Sequence, residues 1–489
     1  MNLNCCALAS ILVREELESS HPVIFTFAIF TDKIVMHQET ELATISPANV
    51  DQIENQTDDT LPIEMTNATG TYLQDLNEYC LIDIFSSSSL RLVDLCNLAE
   101  TCKEFKRITH RVFPQSLSIK TPTLFIDGHE SVRKNLSKSY TVQEYDRILK
   151  VFGSRLSKLS LNDTNQAVVD SVARYCGDVK LKRLKLDGMK SIQSVCRKLK
   201  SNFQRLQILY VRFCDVTGCT TLDFNCDSLT ELDISQSTGC APILMANFPN
   251  LKQFRFNYNP KYFTNEDLTS AVSAFIGRHR HLRTLILDGM SICRSSELVN
   301  AIGDSSELEE LFLECIEVPD ISFIASNRLC LSKVRKVHIN ILFENYNLSV
   351  ALLEAVTLLK TVIMHFHDER LVEVFDVLSQ RQHLRELYLF CYSFDRLPWS
   401  KLTQLRKLLL FTQEFRVADI LNVIKQLTNL EELYIAPWSN GNHMTEEGFT
   451  KIVKVVEGRS NVLTLTCRFN FPVTKHCNKN RYVRLINTM

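Results

Sequence analysis

The chain has 489 residues, 45% of them apolar and 23% charged, and a formal net charge of −1. That length exceeds one compact core and suits about three domains or a repeat solenoid; the near-zero charge gives no broad attraction to nucleic acid or to an anionic membrane. Its 17 cysteines include no C-x-x-C pair, which suits reduced thiols in the cytoplasm or nucleus better than a disulfide framework or a zinc ribbon. No Lys or Arg precedes the first apolar run, CCALASILV, so a signal peptide is not expected. The apolar run at 23–30 is far too short to span a bilayer. From His37 to Gly70 the chain is polar, acid-leaning and aperiodic, and residues 1–70 read as a largely disordered linker segment.

Residues 71–115 read as a small module of three short helices. Leu76, Leu81, Ile84 and Phe85 suggest one helix face, a serine run breaks it, and Asp94 is placed to cap a second helix. Phe105, Ile108 and Val112 form the stripe of a third. So small a piece cannot bury its own apolar surface. It must pack on the rest of the chain or complete its core with a partner.

From residue 116 to 470 one phrase recurs. L-x-x-L-x-L, with Ile, Val, Met, Phe or Cys substituting, begins thirteen times, from Leu156 and Leu181 through to Leu430 and Val462, at steps of 21 to 32 residues. RLKLDGMKSI at 183 returns as TLILDGMSI at 284. Alternate apolar residues place one face of a short strand inward. Stripes such as Ile192, Val195, Cys196, Leu199 and Phe203, or Leu371, Val374, Phe375 and Leu378, predict helices covering the strands from outside. Thr141 with Glu144 predicts a capping box and Gly153 the end of that helix; Thr264 and Gly277 bracket another. One strand and one helix per unit gives a curved α/β solenoid with parallel strands on its concave face. Residues 471–489 read as a basic C-terminal tail.

These units resemble leucine-rich repeats, and residues 71–115 resemble an F-box. Leu76, Ile84 with Phe85, Leu90, Asp94 with Leu95 and Cys96, and Cys102 to Phe105 stand where that family has its leading Leu, Ile-Phe pair, Leu, Asp-Leu-Cys and Cys-Lys-x-Phe; Asn77 replaces its usual Pro. The order is that of F-box/leucine-rich-repeat proteins. The resemblance implies a non-catalytic substrate receptor of a cullin-RING (SCF-type) E3 ubiquitin ligase. Its F-box would dock the adaptor subunit and, through it, the cullin, and its repeats would hold a protein substrate. The expected adaptor-binding residues are Leu76, Leu81, Ile84, Phe85, Leu90, Asp94, Leu95, Cys102 and Phe105. The alternative is a leucine-rich-repeat scaffold outside ubiquitin chemistry.

The residue between the last two apolar positions of each strand projects from the concave wall. That column begins Ser160, Lys185, Tyr210, Asp233 and Arg255 and continues Ile286, Phe312, His338, Ile363, Tyr388, Leu409 and Tyr434; the next outward column adds His365, Phe390 and Phe411. Exposed aromatics in such number suggest a substrate site at Phe312, His338, Ile363, Tyr388, Phe390, Leu409, Phe411 and Tyr434. Read as exposed, these side chains could be removed with little loss of stability. The other reading is that the rings pack on one another, or that the tail folds over them. His365 and His367 read as surface histidines rather than metal ligands, and Cys214, Cys219 and Cys226 as small apolar fillers. No Walker loop, dinucleotide fingerprint or zincin motif occurs. Neither cofactor, nucleic acid nor membrane is expected as a partner.

Overall fold

A computed structural model describes most of the chain between residues 76 and 467, together with 483–487. Residues 1–72, 126–139, 258–267, 289–295, 315–330, 342–345, 367–370, 438–443 and 468–482, with several shorter stretches, are not described. The reading of 1–70 as linker therefore lies outside the described residues.

Three short helices come first: α1 (Glu78–Phe85), α2 (Leu92–Thr101) and α3 (Lys103–Val112). Asn77 caps α1, its side chain accepting the Cys80 N–H at 2.9 Å, a bond worth about 1 kcal/mol to a helix start. The expected cap at Asp94 is corrected. The helix starts three residues earlier, at Leu92, which is already buried, and Asp94 sits inside the first turn accepting the Arg91 backbone N–H at 2.9 Å. The module does not stand alone. Its buried Leu81, Phe85 and Ile108 belong to one continuous core with the array. Phe113 stacks on Phe152 of α4 (Val142–Phe152), with ring centres 4.1 Å apart. The apolar surplus of the module is thus covered by the first repeat.

Strands β1 (Ser116–Lys120) and β2 (Leu124–Phe125) open the sheet as an antiparallel pair. Next come β3 (Lys158–Asn162), β4 (Arg183–Asp187), β5 (Ile208–Arg212), β6 (Glu231–Ser235), β7 (Gln253–Asn257) and β8 (Thr284–Asp288). The array continues with β9 (Glu310–Glu314), β10 (Lys336–Ile341), β11 (Thr361–Phe366), β12 (Glu386–Cys391), β13 (Lys407–Thr412), β14 (Glu432–Pro437) and β15 (Leu463–Cys467). All thirteen sequence units are strands. The expected tail contributes one more, β16 (Val483–Asn487), parallel to β15. That corrects the reading of 471–489 as tail alone.

The strands lie side by side in chain order, β1 and β3 to β16 all parallel. Pairing runs without slippage: Leu159 faces Leu184, then Leu209, Leu232 and Phe254. The period of two forces this, because a one-residue slip would turn every leucine outward. Those leucines are buried, and removing the side chain of one costs about 2–5 kcal/mol.

At the strand ends four consecutive units share one turn. Asp163, Gly188, Phe213 and Gln236 all have left-handed φ, between 42° and 65°, and each N–H bonds the carbonyl of the next strand's last residue. Two residues past β6 the Ser237 hydroxyl accepts the Cys214 N–H at 3.0 Å and donates to the Val211 carbonyl, tying this turn to the one before it. The Thr141–Glu144 capping box forms. Gly153 ends α4 with right-handed φ and leads into a short 3-10 turn. The stripe 192–203 splits at Leu199 into α6 (Gln193–Lys198) and α7 (Lys200–Phe203), after α5 (Gln166–Cys176) and before α8 (Ala241–Met245). Gly277 lies within α9 (Thr269–Arg278) rather than ending it, and Thr264 is not described.

Candidate protein-interaction site

Two surfaces gather the expected site residues. In the three-helix module Leu81, Phe85, Leu95 and Phe105 are buried, with Phe85 and Phe105 edge to face at 5.3 Å. Leu76 and Leu90 are half-buried against the same core. These residues hold the module together. Asp94 is half-buried, its carboxyl held below its usual range by the Arg91 guanidinium. Cys102 is exposed and caps α3, its sulfur accepting the Phe105 N–H at 3.4 Å.

Of the nine, Ile84 is the large apolar side chain that reaches solvent, at 39% exposure. It has company that the sequence pattern did not flag. Tyr79, Cys80 and Asp83 are also exposed, and at 100° per residue these three and Ile84 fall on one arc of α1. The opposite side is anchored by Glu78, which pairs with Arg107 at 3.0 Å and Arg111 at 2.6 Å. Those cations hold the Glu78 carboxyl below its usual range. Such exposed pairs orient α1 on α3 more than they stabilise it.

On the concave face the expected substrate residues do come together. Ile286, Phe312, Ile363, Tyr388, Phe390, Leu409 and Phe411 form an apolar cluster separate from the solenoid core, with Tyr434 and Ala436 half-buried at its end. His365 lies flat on Phe390 at 4.1 Å, Phe390 flat on Phe411 at 4.2 Å, and His338 stacks on His365 at 5.2 Å. The expected exposure is corrected: every one of those seven is at most 9% exposed, because strands about 4.8 Å apart bring rings of adjacent units into contact. His365, read as a surface residue, is buried in this ladder; His367 is not described. Lys336 lays its ammonium 5.5 Å from the Phe312 ring, and burial pushes its pKa down.

The first half of the same face is polar. Asp233, buried, accepts Arg212 Nε at 3.0 Å and Arg255 Nη1 at 3.3 Å. The Tyr210 hydroxyl donates to Glu231, and the guanidinium groups of Arg183 and Arg212 lie 4.6 and 4.9 Å from the Tyr210 ring. Lys185 pairs with Asp187 at 3.1 Å. This network of charges has no sequence motif; only the strand register assembles it. Cys214, Cys219 and Cys226 are buried, as expected of fillers.

No family model and no curated protein matches the chain. Among solved structures it is similar to an internalin (inlF) from Listeria monocytogenes str. 4b F2365, at 15% identity and a TM-score of 0.34, over 73% of this chain and 87% of that one. It is also similar to a chain of a TLR13–ssRNA13 complex, at 16% identity and a TM-score of 0.36, over 64% of this chain and 46% of that one. Likeness at this level carries nothing about partners. The chain's own strands, register and inward leucines make it an α/β leucine-rich-repeat solenoid with a three-helix module fused to its N-terminal end.

Proposed function

We propose that the chain is the non-catalytic substrate-recognition subunit of a cullin-RING (SCF-type) E3 ubiquitin ligase, working in the cytoplasm or nucleus. The three-helix module docks the adaptor subunit, and the concave face of the repeats holds a protein substrate. The observation that carries this reading is the exposed arc of α1 around Ile84 and Tyr79, on a module whose helices otherwise bury or half-bury their leucines, isoleucines and phenylalanines in the core shared with the array. An apolar arc on a short leading helix is of no use to the solenoid and suits a partner's groove. On the substrate side, the half-buried Tyr434 and Ala436 at the end of the ring ladder offer an apolar step to a partner.

Affinity purification of the full chain from cells treated with a proteasome inhibitor tests the whole reading. The expected result is recovery of adaptor and cullin together, with substrate enriched by the inhibitor. Adaptor without cullin would replace the ligase role by that of a non-ligase repeat scaffold, and neither would remove both.

A further inference from the structure

Chain and strand direction impose an electrostatic asymmetry on the array. Among the described residues, each strand from β3 to β8 and from β10 to β14 is followed by a helical segment that returns to the edge where the next strand begins, so these helices end at the strand-start edge. Helix C-termini carry partial negative charge and attract cations. Part of the basic charge at this edge is used by carbonyls of the turns that lead from helix to strand: Arg385 donates to the carbonyls of Gln382 and Leu384 at 2.8 and 2.9 Å, and Lys333 to that of Ser306 at 2.9 Å.

More cations are present than this accounts for. The residue just before the strand is Lys or Arg in seven of the twelve units from β3 to β14 and Glu in two. Backbone bonds join these positions directly: the Lys360 N–H donates to the Arg335 carbonyl, Arg385 to Lys360 and Arg406 to Arg385, at 2.7 to 2.9 Å. Four consecutive cations therefore stand within about 15 Å. Like charges directly across neighbouring strands are destabilising, so folding alone gives no reason to keep them. Arg406 pairs with Glu431 at 3.3 Å. Lys182, Lys252, Arg283, Arg335 and Lys360 are exposed, and among the described residues their side chains make no hydrogen bond or ion pair. His281, paired with Glu307 at 3.0 Å, and with it Arg283 and Lys252, hold the Glu307 carboxyl below its usual range.

Apolar side chains interrupt the same edge. Met245, at the end of α8, Leu358, two residues before Lys360, and Val462, just before β15, are 67%, 39% and 50% exposed. We propose that the strand-start edge from β7 to β13 binds an anionic lipid surface, its cations meeting headgroup phosphates and carboxylates and its protruding Leu358 entering the acyl boundary. Zero-slip register puts the cations at one level along the sheet, so a broad flat surface can meet many of them together. A nucleic-acid rod offers phosphates to fewer of them and nothing to the apolar residues. None of the twelve positions holds an aromatic ring for base stacking. The chain's overall charge of −1 conceals this edge.

The test is co-sedimentation of the full chain with phosphatidylcholine vesicles, with and without phosphatidylserine. The expected result is binding to the anionic vesicles alone, weakened by salt, and about a hundredfold weaker for Arg283→Glu/Arg335→Glu/Lys360→Glu at unchanged melting temperature. Leu358→Asp should remove the part of the binding that survives salt. If the wild-type chain does not sediment with anionic vesicles, or the triple variant binds them as well as wild type, the proposal is overturned. Binding of duplex DNA that depends on the same three cations, with no vesicle binding, would reassign the edge to nucleic acid.

Discussion

From β3 to β7 the central column of the concave face is Ser160, Lys185, Tyr210, Asp233 and Arg255; from β9 to β14 it is Phe312, His338, Ile363, Tyr388, Leu409 and Tyr434. The two halves share register and inward leucines, and their strands differ by at most one residue in length. Most of the column is nearly dry in both: Asp233 and Arg255 are 2% and 5% exposed, Phe312 and Tyr388 5% and 6%. Burial in that column therefore comes from the close spacing of strands, whatever residues occupy it. Chemistry then decides how burial is satisfied. A buried charge must be paired or it costs several kcal/mol, so the first half builds an ion-pair network. A buried ring needs only another surface, so the second half stacks.

The largest expected effect breaks the polar half. Asp233→Ala removes the carboxylate shared by Arg212 and Arg255 and leaves two guanidinium groups close together, that of Arg255 buried and that of Arg212 23% exposed. A loss of about 3–5 kcal/mol in urea unfolding is expected. A loss below about 1 kcal/mol would mean that water or other groups satisfy those cations, and that the halves differ less than their residues suggest.

Next, the stacked half. Phe390 lies between His365 and Phe411, and Phe390→Ala should cost about 3 kcal/mol, most of it regained in Phe390→Leu. Equal stability of Phe390→Ala and wild type would restore the reading of these rings as an open patch.

A smaller effect tests the seam between the halves. His279, just after α9, is buried; its Nε2 accepts the Phe248 N–H at 3.2 Å and its Nδ1 lies 2.7 Å from the Phe275 carbonyl. Burial lowers its pKa below the usual value near 6.5. The folded state thus takes up the proton less readily than the unfolded chain, so this contribution is complete above about pH 6.5 and is lost as pH falls through the folded pKa. His110 is lowered in the same direction by its own burial. Unfolding measured between pH 7 and 5 should show stability falling with acid, with a shallower slope in His279→Gln. Parallel slopes for the two proteins would rule out the link.

The smallest change in stability should come from Tyr434→Ala, about 1 kcal/mol for a half-buried ring at the ladder's end. Its effect on substrate recovery in the affinity purification should be much larger. Unchanged recovery would move the substrate site off the ladder.

The solenoid was legible because its signal repeats: each unit offers alternate apolar residues, and thirteen units leave no doubt about period or register. β16 was missed because YVRLIN follows a Lys- and Asn-rich stretch and lacks the leading leucines. The site was only half legible. Sequence spacing says which residues point into the concave face, but not that adjacent strands then bury them. The arc of α1 was legible at Ile84 and not at Tyr79 or Cys80, since nothing in the family pattern marks those two. The Arg212–Asp233–Arg255 network and the cationic edge lie on residues about two dozen positions apart, and only the sheet register brings them together.

The central claim is that this solenoid is coupled to its machinery through α1. The direct measurement is binding of purified adaptor subunit to the full chain, wild type against Ile84→Asp, by size-exclusion co-elution and calorimetry. Leu95 is buried within the module, so a carboxylate there would unfold it rather than report on docking. Ile84 is partly exposed, so Ile84→Asp should keep the wild-type melting temperature. The account predicts a wild-type complex and at least about a hundredfold loss of affinity in Ile84→Asp, as for a charge buried in an apolar interface. A folded wild-type chain that does not bind the adaptor, or a variant that binds as tightly as wild type, would contradict it.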